Sequence, residues 1–162
     1  MSKLSIAVLV VSDRSAAGKR EDLSGPALAR AAAARGWSVV EQAVVADEQA
    51  AVAACLRDWC DRPAPPDIVL TCGGTGLGPR DVTPEATRAV VEREVPGLVE
   101  RMRREGEKAA PFAVLSRAVC GQRRRTLILN LPGSPRGAEE SLASIADLLP
   151  HALQMMAGDD HV

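Results

Sequence analysis

The sequence predicts an α/β fold: a mostly parallel sheet with helices on both faces. Three observations lead there. Short apolar, β-branched runs alternate with stretches at helical spacing. Two of those runs, 68–72 and 126–131, lead directly into loops rich in glycine and proline. The chain has 162 residues, 46% apolar and 25% charged, which suits one globular domain over 1–162 with a single buried core.

The elements follow in order. Residues 4–11 form a first buried strand that stops at Ser12-Asp13-Arg14. This run follows a lysine, as a secretion signal would, but it is short and β-branched. A helix over 24–35 is rich in Ala and Leu, and Gly36 ends it by accepting left-handed dihedrals. Residues 37–45 alternate as a second strand. Residues 48–60 suit a helix, with Ala51, Ala54, Cys55 and Trp59 as its apolar stripe.

Pro63 to Pro66 break the chain, and 68–72 is a third strand. A helix begins near Pro84 and another spans 96–108. Residues 114–120 and 126–131 read as two strands joined through Gly121 and Arg123-Arg124-Arg125. A long helix starts after Ser134, and Pro150 kinks or divides it. In such a sheet, ligands lie beyond the carboxyl ends of the strands.

Composition excludes several functions. A net charge of −1 gives no electrostatic case for nucleic acid or an anionic membrane as partner. The aromatic residues are Trp37, Trp59 and Phe112, too few for base-stacking platforms. A flat heterocycle would be held mostly by backbone and aliphatic groups. Cys55, Cys60, Cys72 and Cys120 form no C-x-x-C pair, and His151 and His161 lie at the far end, so zinc has little support. Free thiols in a reducing cytosol are the expectation. No stretch approaches the roughly 20 apolar residues that span a bilayer. The chain is expected to be soluble and cytoplasmic.

The strongest local signal is Gly73-Gly74-Thr75-Gly76, directly after the third strand. Glycines let backbone approach a ligand closely and expose its N–H groups. Leu77-Gly78-Pro79-Arg80-Asp81-Val82 follows, then Thr83 as a helix N-cap and Pro84 at the first helical position. Amides, Thr75, Arg80 and a helix N-terminus in one area suit phosphate. Pro79-Arg80 stand where a Walker A loop needs Lys and a hydroxyl, and the third Rossmann glycine is missing, so neither fingerprint is met. A tight turn without ligand is the alternative.

Pro132-Gly133-Ser134-Pro135 has the same strand-to-helix form, with Ser134 as N-cap. Two such turns could clamp the two ends of an anionic ligand. Asp81 and Asp47 suit Mg2+, which takes oxygen ligands; helix capping is the alternative for each. Ser12 and Asp13 either face the same crevice or end the strand. Ser116 and Arg117 fall within a predicted strand, where Arg is either exposed or bound to an anion. Arg101, Arg103, Arg104 and the run 123–125 read as solvated surface.

Gly73-Gly74-Thr75-Gly76 with Pro79-Arg80-Asp81-Val82-Thr83-Pro84-Glu85-Ala86 resembles the signature of the MogA/MoaB molybdopterin-binding family, to which the gephyrin G domain is related. Ser12-Asp13, Asp47-Glu48, Ser116-Arg117 and Pro132-Gly133-Ser134 match in order across the chain. The resemblance implies a three-layer αβα fold with one antiparallel edge strand, a homotrimer, and transient contact with other molybdenum-cofactor proteins. It also implies ATP and molybdopterin as substrates of a Mg2+-dependent adenylyltransferase. Asp47 and Asp81 resemble the catalytic aspartates. Ser12, Asp13, Gly73 to Gly76, Arg80, Ser116, Arg117 and Pro132 to Ser134 are the expected binding groups. The alternatives are a MoaB-type protein that binds molybdopterin without adenylylating it, a scaffold, and a generic nucleotide-binding enzyme.

Overall fold

The computed structural model describes residues 3–158; His161 lies outside them. The strands are β1 (Ser5–Val11), β2 (Ser38–Val45), β3 (Ile68–Cys72), β4 (Arg93–Glu94), β5 (Cys120–Arg123) and β6 (Thr126–Leu131). The helices are α1 (Asp13–Ala16), α2 (Ser24–Ala34), α3 (Gln49–Cys60), α4 (Thr83–Arg88), α5 (Pro96–Glu107), α6 (Pro135–Ile145) and α7 (Leu149–Ala157). The strands form one sheet ordered β2-β1-β3-β6-β5-β4. The first four strands in that order are parallel. β5 runs against β6, and only the two-residue β4 lies outside it.

Side-chain alternation divides β1 between two cores. Ile6, Val8 and Val10 pack with Leu28, Leu98, Met102 and Leu142 from α2, α5 and α6. Ala7, Leu9 and Val11 pack with Val52, Leu56 and Trp59 of α3 and Ala86 of α4. Both faces are therefore dry, which is why these strands read as unbroken apolar runs. This is the three-layer αβα arrangement.

The structure differs from expectation in four places. Residues 114–120 do not form a strand. Pro111–Leu115 is a 3-10 turn, and the ladder begins at Cys120. The reason is Asn130: its side-chain Oδ1, not its carbonyl, accepts the Val119 amide at 3.0 Å, and the chain then diverges so that Arg117 N–H reaches Thr75 O at 2.9 Å. Thr83 does not cap α4 with its side chain; its hydroxyl donates to Gly73 O at 2.9 Å. The buried face of α3 is Val52, Ala53, Leu56, Trp59 and Cys60, so only Trp59 of the expected stripe is fully buried. Within the arginine run, Arg123 is not solvated surface. Its side chain is 19% exposed, bound to Asp61 and donating to Val90 O. Pro150 divides the C-terminal helix, as α6 ends at Ile145 and α7 starts at Leu149.

The topology decides where a ligand goes. From β1 the chain crosses to β2 on one side, and from β2 it passes through α3 to β3 on the other side of β1. The crevice between β1 and β3 is the switch point, where connections leave in opposite directions. Ser12-Asp13 and the glycine loop sit there, at the carboxyl ends of β1 and β3.

Beneath that crevice lies a closed polar network. Asn130 Nδ2 donates to Thr71 Oγ1 and Thr87 Oγ1, each at 2.9 Å, and all three residues are fully buried. It links β6, β3, α4 and the 117–119 segment. Buried networks of this kind rigidify when complete and are costly when broken. Asn130→Leu, of similar volume, should lower the free energy of unfolding by about 2–4 kcal/mol in urea titration, because it strands the Val119 amide and two hydroxyls.

Candidate active site

The site is built from strand ends. Gly73 follows β3 with φ +102°, and a Cβ there would lie 2.4 Å from Val11 O. Gly74 has φ +67°, and a Cβ would lie 2.3 Å from Thr83 Oγ1 and 3.2 Å from Asp47 Oδ1. No side chain fits either position, so the loop lies directly against β1, α4 and the Asp47 carboxylate. The amides of Gly74, Thr75 and Gly76 have no protein acceptor among the described residues.

The second loop packs against the first. Gly73 N–H donates to Leu131 O at 3.1 Å, and the Cys72 thiol donates to Pro132 O at 3.0 Å. Burial pushes that thiol up to about 11, so it stays protonated at neutral pH. Ser134 caps α6 as expected, accepting the Gly137 amide at 3.1 Å, with Pro135 in the first turn.

Asp13 and Asp47 hold each other by their backbones. Asp13 N–H donates to Asp47 Oδ2 at 2.7 Å, and Asp47 N–H donates to Asp13 Oδ1 at 2.9 Å. Asp47 therefore does not cap α3, whose N-cap is Glu48. Ser12 caps α1 by accepting the Ser15 amide at 3.2 Å. Arg80 donates to both Asp13 oxygens at 3.0 Å and holds the Asp13 carboxyl below the usual carboxylate range. Both partners are largely exposed, so the pair contributes little to stability and can exchange partners easily.

Asp47 is the opposite case. Partial burial raises its pKa; the Asp13 backbone N–H offsets this, while the charges of Asp13 and Asp81 raise it further. Asp81 folds over its own loop, accepting the Gly78 amide at 2.8 Å. A cavity of about 410 Å3 contains both Asp47 and Asp81 in its wall, together with Gly73, Gly74, Gly133 and Ser134. A second, mostly apolar cavity of about 400 Å3 lies on the other side of the glycine loop. It is lined by Thr75, Gly76, Leu77, Phe112, Ser116 and Pro132, among others.

The fold thus brings Ser12, Asp13, Asp47, Gly73, Gly74, Arg80, Asp81, Gly133 and Ser134 around the polar cavity or its rim. Thr75, Gly76, Ser116 and Pro132 face the apolar one. Arg117 lines neither. Its guanidinium donates to Gly76 O, Asp81 O and Glu85.

Sequence reasoning missed the 20–24 segment. Arg20, Asp22 and Ser24 line the polar cavity. Asp22 accepts the Ser24 and Gly25 amides, and Ser24 Oγ donates to Gly133 O at 2.6 Å, which fastens the proline-glycine loop to α2. The signal was present as Asp-Leu-Ser-Gly-Pro, a helix-start pattern.

Residues 7–151 match the family described as a probable molybdopterin binding domain. The chain belongs to this family. The molybdopterin adenylyltransferase of Helicobacter pylori strain J99 is 38% identical over 161 residues, 98% of this chain and 91% of that protein. The molybdenum cofactor synthesis protein cinnamon of Drosophila melanogaster is 41% identical over 99% of this chain, which spans only 26% of that protein's length. The molybdopterin biosynthesis enzyme MoaB of Thermus thermophilus superimposes with a TM-score of 0.89 at 48% identity, covering 96% of this chain and 98% of that one. In this molybdopterin-binding domain the signature loops are those that wall the two cavities.

Among the described residues no group of three or more His, Cys, Asp or Glu side chains is arranged to hold a metal. Two carboxylates in one polar cavity do fit Mg2+, which takes one or two protein carboxylates and completes its shell with water and substrate phosphate.

The raised pKa of Asp47 has a consequence for stability. The folded state holds the Asp47 proton more tightly than the unfolded chain does, so stability is lost as pH rises from the ordinary carboxylate value through the raised folded one, and the full cost is present at neutral pH. Asp47→Asn should raise the thermal midpoint at pH 7, and the gain should vanish as pH falls through the carboxylate range. Calorimetry at pH 7 and pH 4 checks both.

Proposed function

We propose that this chain is a molybdopterin adenylyltransferase of molybdenum cofactor biosynthesis, using ATP with Mg2+. The observation that carries the reading is the joint placement of Asp47, Asp81 and the Gly73-Gly74 turn, with its unpaired Gly74 amide, at one switch-point cavity. Relatives bearing that name, matched over nearly the full chain, support it. An oxygen of the molybdopterin phosphate attacks the α-phosphorus of ATP. A new P–O bond forms, the α–β bridging bond breaks, and pyrophosphate leaves. Such transfers need positioning and charge neutralisation more than covalent help.

The polar cavity takes the phosphates. Glycine amides and the α6 N-terminus with Ser134 offer N–H groups to anionic oxygens. Arg80 can leave the exposed Asp13 carboxylate for a phosphate, which it grips in two-point fashion. Asp47 and Asp81 would hold Mg2+, which supplies charge neutralisation for the triphosphate. The apolar cavity suits a heterocycle, held by backbone and aliphatic side chains with Phe112 as its aromatic group.

Purified protein with molybdopterin, ATP and Mg2+ should yield adenylylated molybdopterin and pyrophosphate, and removing Mg2+ should abolish both. Asp81→Asn should lower kcat by about 100-fold or more while molybdopterin still binds. Tight molybdopterin binding with neither product, where the molybdopterin adenylyltransferase of Escherichia coli, a relative 37% identical to this chain, turns over, would leave the MoaB-type binding reading.

The homotrimer, and transient contact with other molybdenum-cofactor proteins, rest on the family resemblance; light scattering should give three times the 17.0 kDa protomer mass. A cytoplasmic location fits the free thiols of Cys55, Cys60, Cys72 and Cys120. No helix of the described residues is long and apolar enough to cross a membrane.

A further inference from the structure

We propose that Arg117 is a positioning residue and Glu85 its counter-ion: together they clamp the 76–81 loop from behind, so that Asp81 is presented to the polar cavity. This rests on the adenylyltransferase reading of that cavity. It separates the two arginines of the signature, leaving Arg80 to meet substrate anions.

The loop between Gly74 and Thr83 has few attachments to the scaffold. Its ends are fixed where Thr83 N–H donates to Gly74 O and Thr83 Oγ1 donates to Gly73 O. Inside it, Gly78 N–H donates to Asp81 Oδ2 and Asp81 N–H to Gly78 O. Those bonds fold the loop on itself without anchoring it. The Arg80–Asp13 pair is exposed and exchangeable. Among the described residues, the remaining hydrogen-bonded anchors all come from one residue. Arg117 N–H donates to Thr75 O at 2.9 Å, Nε to Gly76 O at 2.7 Å and Nη2 to Asp81 O at 2.7 Å. The guanidinium therefore bridges the first and last residues of the loop.

Its third nitrogen, Nη1, donates to Glu85 in the first turn of α4. Glu85 Oε2 has no hydrogen-bond partner among the described residues; Arg117, bonded to Oε1, is the largest influence holding the Glu85 carboxyl below the usual carboxylate range, and Arg88 adds to it. All three guanidinium nitrogens have protein acceptors in one planar fork, a geometry lysine cannot reproduce. Three of its five N–H donors are thus spent on protein acceptors, which fixes the plane of the guanidinium. Because the 116–119 backbone lies off the sheet, the Arg117 amide reaches Thr75 O and its side chain lies behind the loop.

The two roles predict opposite kinetics. A substrate-contacting Arg117 would be restrained by Glu85, so Glu85→Gln would free it and lower KM. A clamp loses its anchor in the same variant. Adenylylation should be measured for Arg117→Lys, Arg117→Ala and Glu85→Gln. Both Arg117 variants should lose about 100-fold in kcat. Glu85→Gln should lose about tenfold, and KM for ATP and molybdopterin should stay within about twofold in all three. Free guanidinium should restore part of the kcat of Arg117→Ala. Amide exchange at Gly78, Asp81 and Thr83 should accelerate by about tenfold, with the core strands unchanged.

Near-normal kcat in Arg117→Lys, a raised KM with intact kcat, or a lowered KM in Glu85→Gln would overturn the clamp. If Arg117→Ala does not fold, the two milder variants decide. If the unaltered protein makes no product where the Escherichia coli enzyme does, the adenylyltransferase reading fails. The exchange rates then decide the clamp alone: unchanged protection at those three amides overturns it.

Discussion

Everything at this site depends on one backbone contact, where Gly73 meets the carbonyl of Val11. The space there is too small for a single methyl group. Gly73 also donates to Leu131 O, so three strand ends, those of β1, β3 and β6, meet within one residue of one another. From that point the chain leaves in three directions, to α1, to α4 and to α6, and the loops between open the crevice. A larger residue would push β1 and β3 apart and separate Asp47 from the glycine loop.

Electrostatics adds a second constraint. Asp13, Asp47 and Asp81 crowd one end of the sheet; Arg80 answers only the first of them directly. The amides of Gly74 to Gly76 beside them have no protein acceptor among the described residues. Carboxylates attract a cation and free amides attract an anion. A metal-bound triphosphate, the proposed substrate form, meets both demands at once. The protein thus holds groups that do not satisfy each other, and the Asn130 network below and the Arg117 fork behind hold them in place.

The site is divided by polarity as well as by charge. On one side of the glycine loop, carboxylates and the free Gly74 amide line the wall; on the other are Leu77, Phe112 and Leu115. A substrate with a phosphate at one end and a fused ring at the other needs both environments within one molecule's length. The same glycine loop forms part of both walls.

Elements with a strong local rule were legible from residue types alone. The strands 5–11, 68–72 and 126–131 are short, β-branched and mostly apolar at successive positions, the pattern of strands covered on both faces in a parallel sheet. Gly36, Pro135 and Pro150 each act through their own backbone, so their effects needed no partner to be foreseen. The glycine loop was visible for the same reason, whereas Asp47 and Asp81 were singled out as catalytic through the family resemblance. The errors came where a distant partner overrides a local preference. Residues 114–120 look like a strand, but the Asn130 side chain and the Thr75 carbonyl take their amides. Thr83 looks like a cap, but Gly73 O lies within reach of its hydroxyl. Arg117 looks like an anion ligand, and only packing brings Gly76, Asp81 and Glu85 to its fork. Asp22 and Ser24 join the site because α2 docks beside the proline-glycine loop, a contact spanning 109 residues of sequence. Backbone geometry and hydrophobic periodicity are properties of neighbouring residues and can be read along the chain. Which acceptor a given donor meets is a property of the folded packing, and has no one-dimensional trace.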